Sequence, residues 1–388
     1  MAGYIAKFNE TYPDITVEVE GITDYANDAL LRLTSGDWGD IMMIPAVDKK
    51  ELANYFVNYG TYDQLSTQYS YIRNWMYENQ IYGMPSTATA QGIVYNKKVF
   101  EAAGITTIPK TPDEFVAALQ AIKDKTDAIP LYTNYAAEWT MGAWDAYIGG
   151  TANGTDQYTN LTLPYQANPF ADRGDGTGPY ALYKTLYDVC NKGLIEEDYT
   201  TTDWEGCKGM INKGEIGCMV LGSWAVPQMQ AAGDNAADIG YMSFPITVDG
   251  KQYASAGPDY CYGINVNASD DNKLASELFV KFMVEQSGFS YDEGGLPILK
   301  SDTNFPEMYA AFEGIEYVED APAEAGKEDI LNQLNTESEL MINQGGNTKL
   351  MEIVEHAVNN DMSYDDIIAE WNQKWTDAQS SVGVEVTK

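Results

Sequence analysis

The chain has 388 residues, 44% of them hydrophobic, which is enough to build more than one folded core. Its 58 acidic and 23 basic residues give a formal net charge of −35, and so negative a surface repels nucleic acids and anionic lipid headgroups. A single histidine, His356, argues against histidine-based catalysis and histidine metal sites. We therefore expect a strongly solvated globular protein with no metal, no cofactor and no nucleic-acid partner.

The four cysteines leave two interpretations open. None of them forms a CxxC pair, which argues against zinc or redox chemistry. In an exported protein a disulfide such as Cys207–Cys218 is one interpretation, and buried free thiols are the other. No run of residues is long and apolar enough to suggest a transmembrane helix.

The first part of the chain alternates between helical and strand patterns. Residues 1–13 predict an amphipathic helix with Ile5 and Phe8 on its inner face. Strands are predicted at 14–20 and 40–44, and helices at 26–33 and 49–59. This alternation is typical of a parallel, doubly wound sheet.

The next segment carries the clearest local signals. Residues 81–85 predict a strand, followed by the small polar residues 86–89 and a second strand. A short helix after that strand ends at Gly104, a normal C-terminal stop. The run 111–114 (Thr-Pro-Asp-Glu) predicts a helix start, because Thr can cap it, Pro suits its first position and Glu can close a capping box.

Later elements repeat these patterns. A strand at 215–221 is followed by the turn Gly222–Ser223–Trp224, and a C-terminal helix is predicted to start at Ser363. Trp371 and Trp375 lie on one face of that helix, so we interpret them as packing residues. The loop 168–178 is rich in Gly and Asp but lacks EF-hand spacing, which favours a plain surface loop over a calcium site.

Four motifs in this order connect the chain to a family: YGMP at 82–85, YNKKVF at 95–100, GI at 104–105 and PKTPDEF at 109–115. Together they resemble extracellular solute-binding protein family 1, the maltose-binding-protein-like group of sugar ABC transporters. The resemblance covers most of the chain. It implies an α/β, two-lobed periplasmic-binding-protein-like fold of type II, in which each lobe is a doubly wound sheet flanked by helices and the chain crosses three hinges.

The resemblance also implies where the lobes divide. Crossings are expected near 87–92, 256–261 and 296–300. The N-terminal lobe is then 1–89 plus 260–297, and the C-terminal lobe is 90–259 plus 298–388. The family places a strand before the first helix, and a signal and often a lipidated cysteine before that strand, so we expect these parts to precede the printed sequence.

Candidate ligand residues of the first lobe follow strands, because ligands of open α/β sheets bind beyond the carboxyl ends of the strands. Asp48 follows the strand at 40–44 and aligns with a sugar-contacting position of the family, or caps a helix. Ser86, Thr87 and Thr89 follow the strand at 81–85; their hydroxyl groups can pair with a sugar, or they form a polar hinge. Thr89 stands where the maltose-binding member of the family carries an acidic sugar ligand, which suggests a different sugar specificity.

Candidate residues of the second lobe follow the strand at 129–133. Asn134, Glu138 and Trp139 come after it, and the family places an acidic residue and an aromatic residue here. Glu138 can accept hydrogen bonds from a pair of hydroxyl groups, and Trp139 can stack on a pyranose face. Trp224 ends another strand at an element that recurs in the family, and we expect it to be a second stacking platform.

The second crossing adds Asp259 and Tyr260, which are ligand contacts by the same resemblance or serve hinge geometry instead. Gly294 and Gly295, at the third crossing, more naturally serve the backbone. Trp38 precedes its strand and therefore lies at the wrong end for a ligand contact.

The resemblance implies a monomeric binding protein rather than an enzyme. It captures an oligosaccharide in the interlobe cleft by hinge closure and delivers it to the permease subunits of an ABC transporter. We expect it to be extracellular, on the surface of a Gram-positive bacterium, and to meet the membrane only through a lipid anchor outside this chain. Two alternatives stay open: a secreted glycoside hydrolase using Glu138 and Asp259, and the same fold with a non-sugar solute.

Overall fold

The computed structural model of the protein describes residues 1–22, 25–344 and 346–387. The chain forms two compact units, the first made of 1–89 and 257–306 and the second of 90–256 and 307–388. The last passage between them lies at 306–307, later than the expected 296–300. The reason is that the segment after Leu296 pairs within the first unit: the Ser70 amide donates to the Ile298 carbonyl at 2.8 Å, and Lys300 donates to Gln68 at 2.8 Å.

The helices are numbered α1–α16 in chain order. They are Ala2–Thr11, Tyr25–Ser35, Leu52–Tyr55, Tyr62–Leu65, Lys97–Ala102, Pro112–Lys125, Trp139–Gly142, Gly150–Asn153, Gly178–Asn191, Trp204–Lys213, Ala225–Ala231, Asp270–Glu285, Phe289–Asp292, Ile330–Ser338, Thr348–Asn359 and Tyr364–Val382. The strands β1–β12 are Ile41–Met43, Gly60–Thr61, Met76–Tyr77, Gln80–Ile81, Met84–Pro85, Ala88–Asn96, Ile129–Leu131, Ile216–Gly222, Ile239–Met242, Tyr253–Pro258, Cys261–Ile264 and Glu316–Val318.

The first unit is built around an antiparallel sheet in the order β1-β11-β5. Ile41 pairs with Ile264, and Cys261 pairs with Pro85, so the middle strand comes from a distant part of the chain. A core below this sheet joins it to α2 and α3. Its buried residues are Ala29, Leu33, Met42, Ile44, Leu52, Phe56 and Tyr82.

Two sequence predictions for this unit are wrong. Residues 15–22 are not a strand, although their alternation predicts one at 14–20. The parallel sheet expected here is an antiparallel one among the described residues. Both errors have the same cause: a strand exists only where a neighbouring strand accepts its hydrogen bonds, and alternation does not reveal that neighbour.

The second unit has a larger mixed sheet in the order β12-β10-β6-β8-β7, with β9 also paired to β6. The pairs β7–β8 and β10–β12 are parallel, whereas β6 is antiparallel to both β8 and β9. Because β7 and β8 run the same way, the residues that follow them emerge at the same edge of the sheet. Helices α6, α9, α15 and α16 contribute to a large apolar core.

The predicted helix starts are confirmed in their capping chemistry. The Thr111 hydroxyl accepts from the Glu114 amide at 3.3 Å, and Ser363 accepts from Asp366 at 3.2 Å. The Glu114 carboxylate accepts a hydrogen bond from the amide of Lys110, the residue before the cap, at 2.7 Å. Trp371 and Trp375, predicted to pack, are buried against Phe170.

The remaining local predictions concern the cysteines, the histidine and the Gly/Asp loop. All four cysteines are buried, and Cys190, Cys207 and Cys218 are free thiols, so the Cys207–Cys218 disulfide does not form. His356 lies on α15, and its ring contacts Asp361 at 2.8 Å. In the loop, Asp175 accepts from both the amide and the hydroxyl of Thr177, as expected of a self-bonded surface loop.

Within the described ranges, none of the helices combines the length and the apolar character that crossing a membrane requires.

Candidate functional site

Three tryptophans of the second unit meet in one cluster, made of Trp139, Trp204 and Trp224. The Trp139 ring lies edge to face with Trp204 at a centroid distance of 5.0 Å, and tilted against Trp224 at 5.7 Å. Trp204 and Trp224 are 5.8 Å apart. Trp139 is 46% exposed and the other two rings are partly exposed, so the tryptophan cluster presents indole surface to solvent.

Chain topology explains why these rings meet. Trp224 follows β8, and Trp139 begins α7 after β7, the parallel neighbour of β8. Trp204 is the first residue of α10, whose start is capped by Asp203 through a 3.1 Å bond from the Glu205 amide. Two strand ends and one helix start therefore converge at one edge of the sheet.

The Trp204 ring has a cation above it. The Lys208 ammonium lies 4.9 Å from the ring centroid and is paired with Glu205 at 2.9 Å. Lys208 is one turn along α10 from Trp204, so local helix geometry produces the contact. The contact is a cation–π interaction between two residues of the same helix.

Glu138 precedes Trp139 in an unusual backbone conformation, with φ 58° and ψ −59°. Its side chain is exposed, and the Asn347 amide approaches it at 3.4 Å. A non-glycine residue at such angles is strained, and strained residues concentrate at functional sites. The carboxylate beside the tryptophan cluster is therefore available to accept hydrogen bonds from hydroxyl groups.

Asn134, in contrast, is an interior residue. It is 1% exposed, its backbone is left-handed, and its amide nitrogen donates to the Met219 sulfur at 3.2 Å. The Asn134 side-chain oxygen is buried without a hydrogen-bond partner. This placement does not bring Asn134 to the exposed tryptophan surface, where it is expected from the sequence.

A buried carboxylate, Glu196, holds the loop that leads to Trp139. Glu196 accepts from the Thr133 amide at 2.9 Å and also from the Thr133 hydroxyl. Burial raises the pKa of Glu196, and the hydrogen bonds from Thr133 oppose that rise. One acidic side chain thus anchors the residue immediately before the left-handed turn.

The first unit brings four of its predicted site residues together. The Ser86 amide donates to the Tyr260 carbonyl at 2.8 Å, and the Asp259 amide donates to the Thr87 carbonyl at 2.9 Å. These bonds extend the β5–β11 pairing beyond the strands. Ala88 also pairs with Leu296, so three chain segments of this unit run side by side.

Two of these side chains form hydrogen bonds within the protein. The Ser86 hydroxyl donates to the Tyr260 carbonyl at 2.8 Å. The Thr87 hydroxyl contacts the Ser290 hydroxyl at 2.6 Å, and Ser290 donates to the Leu296 carbonyl at 2.7 Å. Both Ser86 and Thr87 are buried, and the Ser86 oxygen can still accept a hydrogen bond.

The other first-unit candidates differ in exposure. Thr89 is buried, whereas Asp48, Asp259 and Tyr260 are exposed, Tyr260 by 56%. Asp48 accepts from the Lys50 amide at 3.0 Å, so it caps the short helix that follows. Although part of Asp259 is exposed, crowding by neighbouring protein atoms desolvates its carboxylate and raises its pKa; the hydrogen bond from the Tyr260 amide opposes the rise, and the negative charge of Glu293 adds to it.

Sequence reasoning missed two residues of the second unit, Trp204 and Glu196. Trp204 has a local signal, since an aspartate cap places it at the first position of a helix. Nothing local marks Glu196, because its partner Thr133 is far away in the chain. Trp144, a further tryptophan of the second unit, is buried in the core against Phe244.

Comparison with solved structures gives a close overall match. A binding protein of an ABC transporter from Bifidobacterium animalis subsp. lactis, solved with mannobiose, is 52% identical at a TM-score of 0.93, covering 98% of this chain and 90% of that one. A manno-oligosaccharide-specific solute-binding protein from the same organism, solved with mannotriose, is 51% identical over the same shares at a TM-score of 0.93.

A sequence relative and a family model agree with these structures. The multiple sugar-binding protein of Streptococcus mutans is 25% identical over 323 residues, which is 78% of this chain and 73% of that protein. The model of the bacterial extracellular solute-binding proteins matches residues 1–288. With that match and the two-lobed α/β fold of its structural neighbours, the chain belongs to the bacterial extracellular solute-binding protein family.

Proposed function

We propose that this protein captures manno-oligosaccharides for import by an ABC transporter. The observation that carries the proposal is the partly exposed tryptophan cluster, in which Trp139, Trp204 and Trp224 present indole faces at one edge of the sheet. Sugar rings stack on such faces through their C–H bonds. Relatives about half identical to this chain, solved with mannobiose and mannotriose, support the choice of sugar.

The polar contacts come from groups near the tryptophans. The exposed Glu138 carboxylate accepts hydrogen bonds from sugar hydroxyl groups, and its backbone strain fixes its direction. Asn134 acts from the interior, where its left-handed backbone turns the chain toward Glu138. Trp139 and Trp224 bind the sugar directly.

The first unit supplies the second set of contacts. We place Tyr260 and Asp259 against the sugar, with Asp48, Ser86 and Thr89 as further hydrogen-bonding groups. Thr87 supports this set through Ser290. The two lobes close on the sugar by bending at the three chain crossings, and closure is favourable because the sugar binds the closed state better.

The proposal extends to partners and location. The closed, sugar-loaded monomer docks on permease subunits in the membrane. It works outside a Gram-positive cell, held at the surface by a lipid anchor. Membership of an extracellular family and the ABC transporter assignment of its relatives support this arrangement. Fractionation of cells expressing the full-length gene product, with palmitate labelling, tests the anchor.

Calorimetric titration tests the sugar. Mannobiose and mannotriose should bind saturably, and raffinose and maltotriose should bind far more weakly. Trp139→Ala and Trp224→Ala should each weaken binding, whereas Trp38→Ala should not, because Trp38 packs on Phe56 in the first unit. Absence of saturable binding by the folded protein would refute the proposal.

Chromatography of the recovered sugar separates capture from hydrolysis. A binding protein returns mannotriose intact. Release of mannose would favour the hydrolase alternative that uses Glu138 and Asp259. Binding of a non-sugar solute with no response to any glycan would favour the other alternative.

A further inference from the structure

Glu196 lies in the interior of the second unit and is shielded from solvent. It is 6% exposed and follows Ile195, which forms a parallel bridge with Leu131 at the end of β7. Its two carboxylate oxygens accept from the Thr133 amide at 2.9 and 3.2 Å, and one of them also accepts from the Thr133 hydroxyl. All of these bonds converge on one residue.

Thr133 lies two residues after β7 and directly precedes the turn that leads to the tryptophan cluster. Its hydroxyl also accepts from the Tyr135 amide at 3.1 Å. The next residue, Asn134, is left-handed, and Glu138 is strained. The direction of the whole loop 134–139 therefore depends on how Thr133 is held.

The segment that contains Glu196 also leads to the second ring. Seven residues of chain connect Glu196 with Trp204, and this connection is bonded back to the first loop. The Ala136 amide donates to the Thr202 hydroxyl at 2.7 Å, and the Asp203 amide donates to the Tyr132 hydroxyl at 2.9 Å. The two loops are thus joined at three points: Glu196, Thr202 and Asp203.

We propose that Glu196 is a positioning residue for sugar recognition, which holds the loops carrying Trp139 and Trp204 in register so that their rings meet edge to face. This inference deepens the proposed function and rests on it where sugar affinity is concerned. The arrangement of the two rings in the unliganded protein can be tested whether or not the protein binds sugar.

The chemistry explains why this position needs a carboxylate rather than an amide. The Thr133 hydroxyl oxygen accepts a hydrogen bond from the Tyr135 amide, and the hydroxyl hydrogen is donated to Glu196. The Thr133 amide is a second donor aimed at the same group. A carboxylate has only acceptors, whereas a glutamine would turn its NH₂ toward one of these donors. Burial raises the pKa of Glu196, and the two hydrogen bonds from Thr133 oppose the rise because they stabilise the carboxylate.

The test compares Glu196→Gln with Glu285→Gln. Glu285 accepts a hydrogen bond from the Tyr69 hydroxyl in the first unit, so it is a matched carboxylate far along the chain from the tryptophans. Near-UV circular dichroism without sugar reports the coupled indoles, and calorimetry with mannotriose reports affinity. We expect Glu196→Gln to lose much of the indole signal and to bind roughly tenfold more weakly, since preorganisation is reduced. Glu285→Gln should keep the wild-type indole signal and the wild-type affinity for mannotriose.

A second pair of variants decides the question if Glu196→Gln does not fold. Thr133→Val removes the hydroxyl at nearly constant shape, and Thr133→Ser retains it. We expect Thr133→Val to reproduce the loss of indole signal and Thr133→Ser to restore it. A folded Glu196→Gln or Thr133→Val protein with the wild-type indole spectrum and wild-type affinity would overturn the inference.

The two proposals fail in different ways. If the wild-type protein binds no manno-oligosaccharide, the proposed function is wrong, but the spectra of the unliganded variants still test the positioning role. If the wild type binds and the variants bind equally well with unchanged spectra, only the positioning role is wrong.

Discussion

The indole rings of Trp139 and Trp204 meet edge to face with their centroids 5.0 Å apart, although one ring follows β7 and the other begins α10. If this pair forms part of the sugar surface, Trp204→Ala removes one stacking face and loosens the other. We expect the affinity for mannotriose to fall roughly three- to tenfold, which corresponds to about 1 kcal/mol of aromatic contact. Calorimetry measures the change.

Trp38→Ala is the matched control for that substitution. Trp38 packs on Phe56 in the first unit at 5.5 Å, so its loss should lower stability without changing affinity. Equal affinity of Trp204→Ala and the wild type would show that Trp204 takes no part in binding.

A buried ion pair in the second unit predicts a large stability effect. The Lys349 ammonium contacts the Asp145 carboxylate, and their side chains are 3% and 1% exposed. Asp145 also accepts from the Tyr183 hydroxyl at 2.7 Å and the Asn343 amide at 3.0 Å. Lys349→Met leaves a buried charge unpaired, so we expect the free energy of unfolding to fall by about 3–5 kcal/mol in urea denaturation.

Two further variants check the cause of that loss. Adding Asp145→Asn to Lys349→Met should recover part of the stability, because the unpaired charge is then gone. Lys98→Met breaks the exposed pair with Glu101 and should leave the melting temperature unchanged. A loss from Lys98→Met as large as from Lys349→Met would contradict the role of burial.

Asp320 predicts a pH dependence of stability. Burial raises the pKa of Asp320 to about 6, and the Asp156 carboxylate adds to the rise while the Thr159 hydroxyl opposes it. Between the unfolded pKa near 4 and the folded pKa, the folded state holds more protons, so stability falls as pH rises through this window. Across this window the free energy of unfolding falls by about 3 kcal/mol. Denaturation of wild type and Asp320→Asn at several pH values measures it.

Asp320→Asn should gain stability relative to wild type as the pH is raised from 4 to 7, since the neutral amide has no charge to bury. Asp175→Asn is a control of opposite sign. Its hydrogen bond from Thr177 lowers the pKa of Asp175, so its contribution is lost as pH falls through the folded pKa. Parallel pH profiles for wild type and Asp320→Asn would rule out this assignment.

Gly295 predicts a packing effect in the first unit. A Cβ at Gly295 would lie 1.8 Å from the Thr87 hydroxyl oxygen and 2.9 Å from the Ala88 carbonyl oxygen. Gly295→Ala must therefore displace Thr87 and strain the paired segments, and we expect a loss of at least about 2 kcal/mol in the free energy of unfolding. Gly257→Ala, with nothing within 4 Å, should have little effect. Equal stability of the two alanine variants would contradict the close packing.

Much of the local structure can be predicted from the sequence. Thr111 and Ser363 start their helices because a hydroxyl group caps an amide three residues along the chain. The positions of Trp139 and Trp224 after strands could also be predicted, because strand patterns and turns depend on neighbouring residues. The antiparallel partner of β1 could not, because β11 lies more than two hundred residues further along the chain.

The candidate site, too, could be predicted from the sequence only in part. The sequence by itself determined the family, the helix starts and the positions of two tryptophans that follow strands, because these depend on neighbouring residues and on the order of the motifs. Only the tertiary structure decided that Trp204 joins them, that Glu196 holds Thr133 and that Asn134 and Thr87 point inward. Those relationships come from hydrogen bonds and packing between distant segments, and they form only when the whole unit has folded.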